Sequence, residues 1–223
     1  MITLTNLIPN SSFESSAGWS GGAYSTQHAF DGQKSLQMTG TASTPEVTAN
    51  TTAGITLDPS HIYYARMYGY QETLSAGSVG FYWPIAEPSF QEGIPLGQAG
   101  RWNLYSGRNG RSSFSGGSYQ FRLDFNNSNA PGTIWFDGVM LVDLTAAFGA
   151  GNEPDKAWCD ALPFFESTFE VFTGETFSIE SAAFNPNPTN INSPTLLSVL
   201  VTEQTKYLIP TWFYANEIYC GEG

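Results

Sequence analysis

Ile134-Trp-Phe-Asp-Gly-Val-Met-Leu-Val-Asp-Leu-Thr-Ala-Ala-Phe-Gly-Ala-Gly-Asn-Glu-Pro154 is the stretch at which the chain changes character. Residues 134 to 142 are rich in β-branched and aromatic types, which predicts a buried strand. Asp143 then stands where an N-cap is needed, with Leu144 to Phe148 as one helical turn and Gly149 as its left-handed terminator. Asn152 predicts the cap of a second short helix over 152–162, with Pro154 tolerated in its first turn and Asp155 three residues on giving a capping-box pattern. A strand closes here and two short helices take over, with Pro163 as the stop.

Outward from this pivot the composition is that of an all-β protein. Of 223 residues only 13% are charged while 15% are aromatic, and Gly, Ser, Thr and Asn are abundant, which fits many short strands and turns. A chain of this size should expose roughly 10,000 Å² folded against about 35,000 Å² unfolded, so burial alone can support a core. The net charge is -12, with ten acids and six bases in residues 1 to 152 and ten acids and two bases after them. That excludes nucleic acid as a partner, because phosphate contacts need Lys and Arg. It serves solubility or, alternatively, an acidic docking surface. Cys159 and Cys220 have no metal or redox spacing and read as reduced. The N-terminus lacks a basic n-region and no apolar run approaches a membrane span, which predicts a soluble protein made in a cytoplasm, with no membrane partner.

Upstream of the pivot, residues 2–8, 34–39 and 47–57 predict strands, the last as a pair or with a bulge. The strand at 62–70 would present Tyr63, Ala65, Met67 and Gly69 on one face and Ile62, Tyr64, Arg66, Tyr68 and Tyr70 on the other. Residues 78–85 predict a further strand, 86–100 a Pro- and Gly-rich loop, 101–105 a short strand, and 106–118 a Gly, Ser and Arg segment. In 119–125 Tyr119, Phe121, Leu123 and Phe125 alternate with Gln120, Arg122 and Asp124. Some nine short antiparallel strands before residue 143 make a jelly-roll β-sandwich the natural architecture.

Downstream, Trp158 and Leu162 lie four apart and can cover the sandwich, or dock a partner. Residues 168–180 predict a hairpin around Gly174, 185–194 a Pro- and Asn-rich linker, and 196–219 an apolar tail that packs on the first domain or on another subunit. The expected domains are a sandwich at 1–142, a helical connector at 143–165, and a β-rich arm for attachment or oligomerisation at 166–223.

Two segments carry resemblances. Met140 to Pro154 followed by Lys156-Ala-Trp-Cys-Asp160 resembles a segment that follows a β-sandwich in structural and tail-associated proteins of bacteriophages. Asn6-Leu-Ile-Pro-Asn-Ser-Ser-Phe-Glu14 with Gly18-Trp19 looks like the opening of carbohydrate-binding modules of the galactose-binding-like jelly-roll type. The first resemblance implies a virion protein assembled in the host cytoplasm, with other virion proteins or further copies of itself as partners. The second implies a displayed domain that adheres to glycans and a structural calcium ion where the first loop meets the last strand. Glu14 and Asp137 are its matching positions, and main-chain oxygens near Gly32 to Lys34 would complete the shell. The plain alternative is two solvated or paired carboxylates.

No enzyme is expected. Only His28 and His61 are present, without a nucleophile elbow, a zinc-protease helix or a phosphate loop. Acid pairs such as Asp124 with Asp137 or Glu87 with Glu92 have no meaning without geometry. Sugar binding needs aromatic faces against pyranose C–H groups and planar polar side chains for the hydroxyls. If 62–70 and 119–125 share a sheet, Arg66, Tyr68, Tyr70, Gln120, Arg122 and Asp124 form such a face. Otherwise these residues are covered, with Arg122 and Asp124 satisfying one another. The reading is a non-enzymatic phage virion protein, decorating the head or sitting on the tail, and its rival is a free carbohydrate-binding module of a bacterial glycan-degrading system.

Overall fold

The computed structural model describes residues 1–73, 77–82, 91–109, 117–128 and 130–171. In chain order the first strands are β1 (Ile2–Thr5), β2 (Trp19–Ser20), β3 (Ala23–Ser25), β4 (Ser35–Gly40), β5 (Glu46–Thr51), β6 (Ile55–Leu57) and β7 (Tyr63–Tyr70). They continue with β8 (Ser78–Tyr82), β9 (Gln91–Pro95), β10 (Trp102–Asn109), β11 (Gly117–Tyr119), β12 (Arg122–Asn126) and β13 (Gly132–Asp143). Helices α1 (Leu144–Phe148) and α2 (Lys156–Asp160) and strand β14 (Thr168–Val171) follow.

Two five-stranded sheets, ordered β10-β7-β13-β4-β3 and β2-β5-β12-β8-β9, make the all-β jelly-roll sandwich. Leu36, Met38, Tyr63, Ala65, Met67, Ile134 and Phe136 of the first sheet meet Ala49, Val79, Phe81, Leu123 and Phe125 of the second in one buried cluster. Each large apolar side chain among them contributes about 1.5–3 kcal/mol on burial.

The central strand β13 is buried on both faces, and its alternation breaks once. Ile134 and Phe136 point into the core, but so do Val139 and Leu141, an odd step from the first pair. Gly138, at φ 57°, forms a bulge at which the pairing with β7 jumps between Asp137 and Met140. Trp135, Asp137, Met140 and Val142 therefore share the outer face, beside Tyr70, Tyr68, Arg66 and Tyr64.

The connector closes one half of that outer face. Asp143 caps α1 as expected, accepting from the Ala146 N–H at 2.8 Å. Gly149 ends it with positive φ but an extended ψ of 150°, so the terminator is not left-handed helical. Asn152 does not cap the second helix: α2 begins at Lys156, with Asp155 accepting from the Trp158 N–H at 2.8 Å. Glu153 is drawn the other way, accepting from the Thr145 hydroxyl and the Gly151 N–H, and residues 152–155 stay outside the helix. Asp160 on α2 then accepts from the Tyr64 and Ser106 hydroxyls at 2.9 and 2.6 Å and from Lys156 Nζ at 2.6 Å.

Other departures are local. The expected loop at 86–100 contains edge strand β9, where Pro95 is tolerated because it needs no ladder donor. Strand β10 runs on to Asn109, and 119–125 is split into β11 and β12 around Gln120 and Phe121. The many two- and three-residue strands raise the number before residue 144 to thirteen among the described residues. Residues 3 to 169 form one compact unit, which includes the connector. The expected arm beyond Val171, with its apolar tail and Cys220, lies outside the described residues.

Gly138→Ala is expected to lower stability by roughly 1–3 kcal/mol in a urea titration, from positive φ and from crowding. A Cβ there would stand 3.1 Å from Tyr68 Cδ2 and 3.2 Å from Phe30 Cδ1. Gly151→Ala, also at positive φ but with nothing within 4 Å of its Cβ, should cost less. Equal losses would mean that crowding at Gly138 contributes nothing.

Candidate functional site

Strand register places four rows of side chains across the outer face of the β10-β7-β13 sheet. Trp102, Tyr70 and Trp135 form the first row, and Leu104, Tyr68 and Asp137 the second. Ser106, Arg66 and Met140 form the third, and Arg108, Tyr64 and Val142 the fourth. The last two rows lie under the connector: Arg66 is fully buried and donates to the Leu162 carbonyl at 2.6 Å, and Arg108 Nε donates to the Pro154 carbonyl at 2.8 Å.

The first two rows carry aromatic rings that neither α1 nor α2 covers. A loop from Thr26 to Lys34 brings His28 and Phe30 onto them. The Phe30 ring stacks on Tyr68 with centroids 3.7 Å apart and planes 14° off parallel, and lies 5.9 Å from Trp102. His28 lies 4.2 Å from Tyr70 and 4.6 Å from Trp135, which leaves Trp135 only 3% exposed. Phe30 and Leu104 remain 39% and 36% exposed. At the rim Glu72 Oε1 accepts from Gln27 Nε2 at 2.9 Å and stands 3.0 Å from His28 Nε2. The result is a rigid aromatic platform with carboxylate, amide and imidazole groups at one edge, the combination that stacking on sugar rings and hydrogen bonding to their hydroxyls require.

Tyr68 and Tyr70 thus belong to this face, as expected, whereas Arg66 beneath them is a tie to the connector. Gln120, Arg122 and Asp124 do not join them, because β7 and β12 lie in different sheets. Arg122 and Asp124 point from the outer face of the second sheet and pair with each other at 3.1 Å, and Gln120 is exposed between β11 and β12. For the same reason Asp124 and Asp137 form no catalytic pair. His61 is structural, its Nδ1 2.7 Å from the capping Asp143. Sequence reasoning missed Trp102, Leu104, Trp135, His28 and Phe30. Their signal was alternation of large rings on β10 and β13 in step with Tyr68 and Tyr70, visible only once strand order is known.

Glu14 and Asp137 both serve the loop. Glu14 Oε1 accepts from the Gln33 and Lys34 N–H groups, each at 2.7 Å, and Lys34 Nζ donates to the Glu14 carbonyl at 2.7 Å. Asp137 Oδ2 accepts from Phe30 and Asp31 at 2.7 and 3.1 Å, and its Oδ1 from Gly138 at 2.7 Å. A calcium ion needs six to eight oxygens free to face it. Here N–H donors engage Glu14 Oε1 and both Asp137 oxygens and an ammonium sits on the Glu14 main-chain oxygen, a donor-rich surround that does not fit the ion. Among the described residues no three or more His, Cys, Asp or Glu side chains are gathered in one group.

No family model matches the chain, and no curated protein matches it. Solved structures share its fold. An arabinose-bound α-L-arabinofuranosidase superposes with a TM-score of 0.50 at 15% identity, over 63% of this chain and 26% of that one. A family 16 carbohydrate-binding module gives 0.45 at 15%, over 62% and 100%. The enzymatically active domain of tailspike protein 4 of bacteriophage CBA120 gives 0.45 at 12%, over 61% and 21%. The chain therefore spans about a quarter of the arabinofuranosidase and a fifth of the tailspike domain. Of these likenesses the first, at a TM-score of 0.50, bears on the fold alone.

Burial pushes the Asp137 carboxyl up to about 7 from an ordinary 3.8, against the Asp31, Phe30 and Gly138 N–H groups that pull it down and with the Asp31 carboxylate adding to the rise. The folded state holds this proton more tightly than the unfolded chain. The group's stabilising contribution is therefore complete below pH 3.8 and is lost as pH rises through about 7. Urea titrations at pH 4.5 and 8 should show the wild type losing on the order of 2–4 kcal/mol more than Asp137→Asn over that interval. Parallel pH profiles for the two proteins would contradict this.

Proposed function

We propose that the chain is a non-catalytic glycan-binding protein and that Trp102, Tyr70, Leu104 and Phe30 are its sugar-contacting platform. The observation that carries this reading is the half of one sheet face that the connector leaves open. Strands β10 and β7 and a pinned loop there present large rings with a polar rim, over a buried Trp135 of β13, while the other half of the same face lies under the connector. Phe30 and Leu104 are exposed there beside half-buried Trp102 and Tyr70, and an apolar patch of this kind on one face marks a binding surface. Rings already held by one another lose little further freedom when a ligand stacks on them. The fold shared with a carbohydrate-binding module is compatible with this use but does not carry it.

The setting we favour is a phage particle, with the jelly roll displayed on the head or tail and partnered by other virion proteins or by copies of itself. Its support is the segment Met140 to Asp160, which resembles a segment of phage structural and tail-associated proteins and here forms the end of β13 and the connector that seals the lower half of the face. The rival is a free module of a glycan-degrading system. Mass spectrometry of purified particles from the source phage would find the chain in stoichiometric amounts under the first setting. Its absence from particles, with recovery among secreted glycan-active proteins, would favour the second.

Titration calorimetry of the full chain, against whichever oligosaccharides a glycan array selects, should show Trp102→Ala weakening binding at least about tenfold, equal to roughly 1.4 kcal/mol. Arg122→Ala, on the opposite sheet, should leave the affinity within about twofold. The reverse pattern would move the site to the second sheet and sink the assignment.

A further inference from the structure

The 26–34 loop carries both rings that complete the platform, yet Thr26 to Lys34 contains no apolar cluster of its own to anchor it. Its backbone is held instead by two carboxylates from distant parts of the chain. Asp137, on β13 beside the bulge, takes the N–H groups of Phe30 and Asp31, and Glu14, from the opening loop, takes those of Gln33 and Lys34. Four N–H groups among five consecutive residues thus end on two side chains. Gly32 lies between the two pairs at φ 68°, and a Cβ on it would come within 2.5 Å of Glu14 Oε1, so the loop closes against that carboxylate. Lys34 returns along the same path, its ammonium on the Glu14 main-chain oxygen at 2.7 Å. One further bond, from the Ser35 hydroxyl to the His28 carbonyl, fixes the other ring-bearing residue.

We infer that Glu14, Lys34 and Asp137 form a metal-free clamp that positions the 26–34 loop, and through it Phe30 and His28, over the aromatic face. The positions at which resemblance implies a calcium ion are taken over by charges and donors of the chain itself. The Lys34 ammonium supplies the positive charge at the Glu14 carbonyl, and backbone N–H groups supply the partners of the carboxylates. The four N–H bonds and the ammonium already supply the loop with the partners that a cation would otherwise give it. These are positioning residues, acting on the platform through the loop. The inference goes beyond the glycan reading and does not need a sugar for its test.

Hydrogen exchange by mass spectrometry on the intact chain reads the clamp directly. In the wild type, protection of the peptide covering residues 26–35 should be the same in excess calcium and in excess chelator, and the melting temperature should agree within about a degree between the two. Glu14→Ala should raise exchange in that peptide at least about tenfold while leaving the β12 peptide unchanged. Glu14→Gln, which keeps a neutral acceptor oxygen for the Gln33 and Lys34 N–H groups, should retain most of the protection. Lys34→Met should loosen the same peptide, with no rescue by calcium. A core truncation of comparable destabilisation, Met38→Ala, should leave the 26–35 peptide protected under native conditions, which separates loop positioning from general weakening. Calcium-dependent protection of 26–35 in the wild type would overturn the inference. So would loss of protection in Glu14→Gln equal to that in Glu14→Ala.

Discussion

The whole arrangement depends on one backbone event, the bulge at Gly138 in the central strand. A strand of strict alternation through 134–142 would carry Gly138, Met140 and Val142 inward and leave Val139 and Leu141 outside. The bulge swaps them, so that Val139 and Leu141 join the core and Met140 and Val142 lie outward against the connector. It also leaves Asp137 as the last outward residue before the step, buried against the loop that crosses it. The division of the outer face into a sealed and an open half begins at this residue.

Polar side chains then fix what the bulge divides. Asn6 is buried and fully used: its amide donates to the Val139 and Phe165 carbonyls, and its oxygen accepts from the Ile8 and Leu141 N–H groups. Asn10 does the same for the following loop, donating to Ser15 and Ala17 carbonyls and accepting from the Ser15 N–H. Trp19 Nε1 closes that loop on the Asn10 carbonyl. The opening motif is thus a set of backbone-satisfying side chains that ties the first loop to the bulged strand, as buried polar groups require. Glu14 extends this to the loop that bears Phe30.

Much of this was legible in the residues. Alternation at Tyr119, Phe121, Leu123 and Phe125 identified the core side of that stretch, and for β7 it separated the two faces without saying which one is buried. The cap at Asp143 was equally plain. Strand order was not, because alternation says which face a residue takes but nothing about which strand lies beside it. Tyr68 and Tyr70 were therefore joined to Arg122 and Asp124, when their neighbours are Trp102, Leu104 and Trp135. The start of α2 was misplaced for a different reason. Asn152 and Asp155 both satisfy the local rules of capping, but Glu153 is tied back to Thr145 and Gly151 and the helix starts after Asp155. The bulge had a signal, an isolated glycine inside a strand pattern, but its consequence for parity appears only when the flanking pairs are in register with β7.

The open half of the face also bears on the acidity of the chain. Glu72 and Asp31 stand at or beside its rim, while the cations near it are engaged elsewhere. Arg66 is buried on the Leu162 carbonyl, Lys34 on that of Glu14, and Arg101 is held by Gln98. A surface of this kind attracts through ring faces and hydroxyl-matched polar groups, and repels dense negative charge at short range. Under the proposed function its selectivity rests on shape and stacking, and the separation of Phe30, Tyr70 and Trp102 becomes the quantity that matters. The place of Phe30 in that set is fixed by the loop's backbone bonds to Glu14 and Asp137, not by any apolar packing within the loop, so the form of the platform depends on polar contacts that lie behind it.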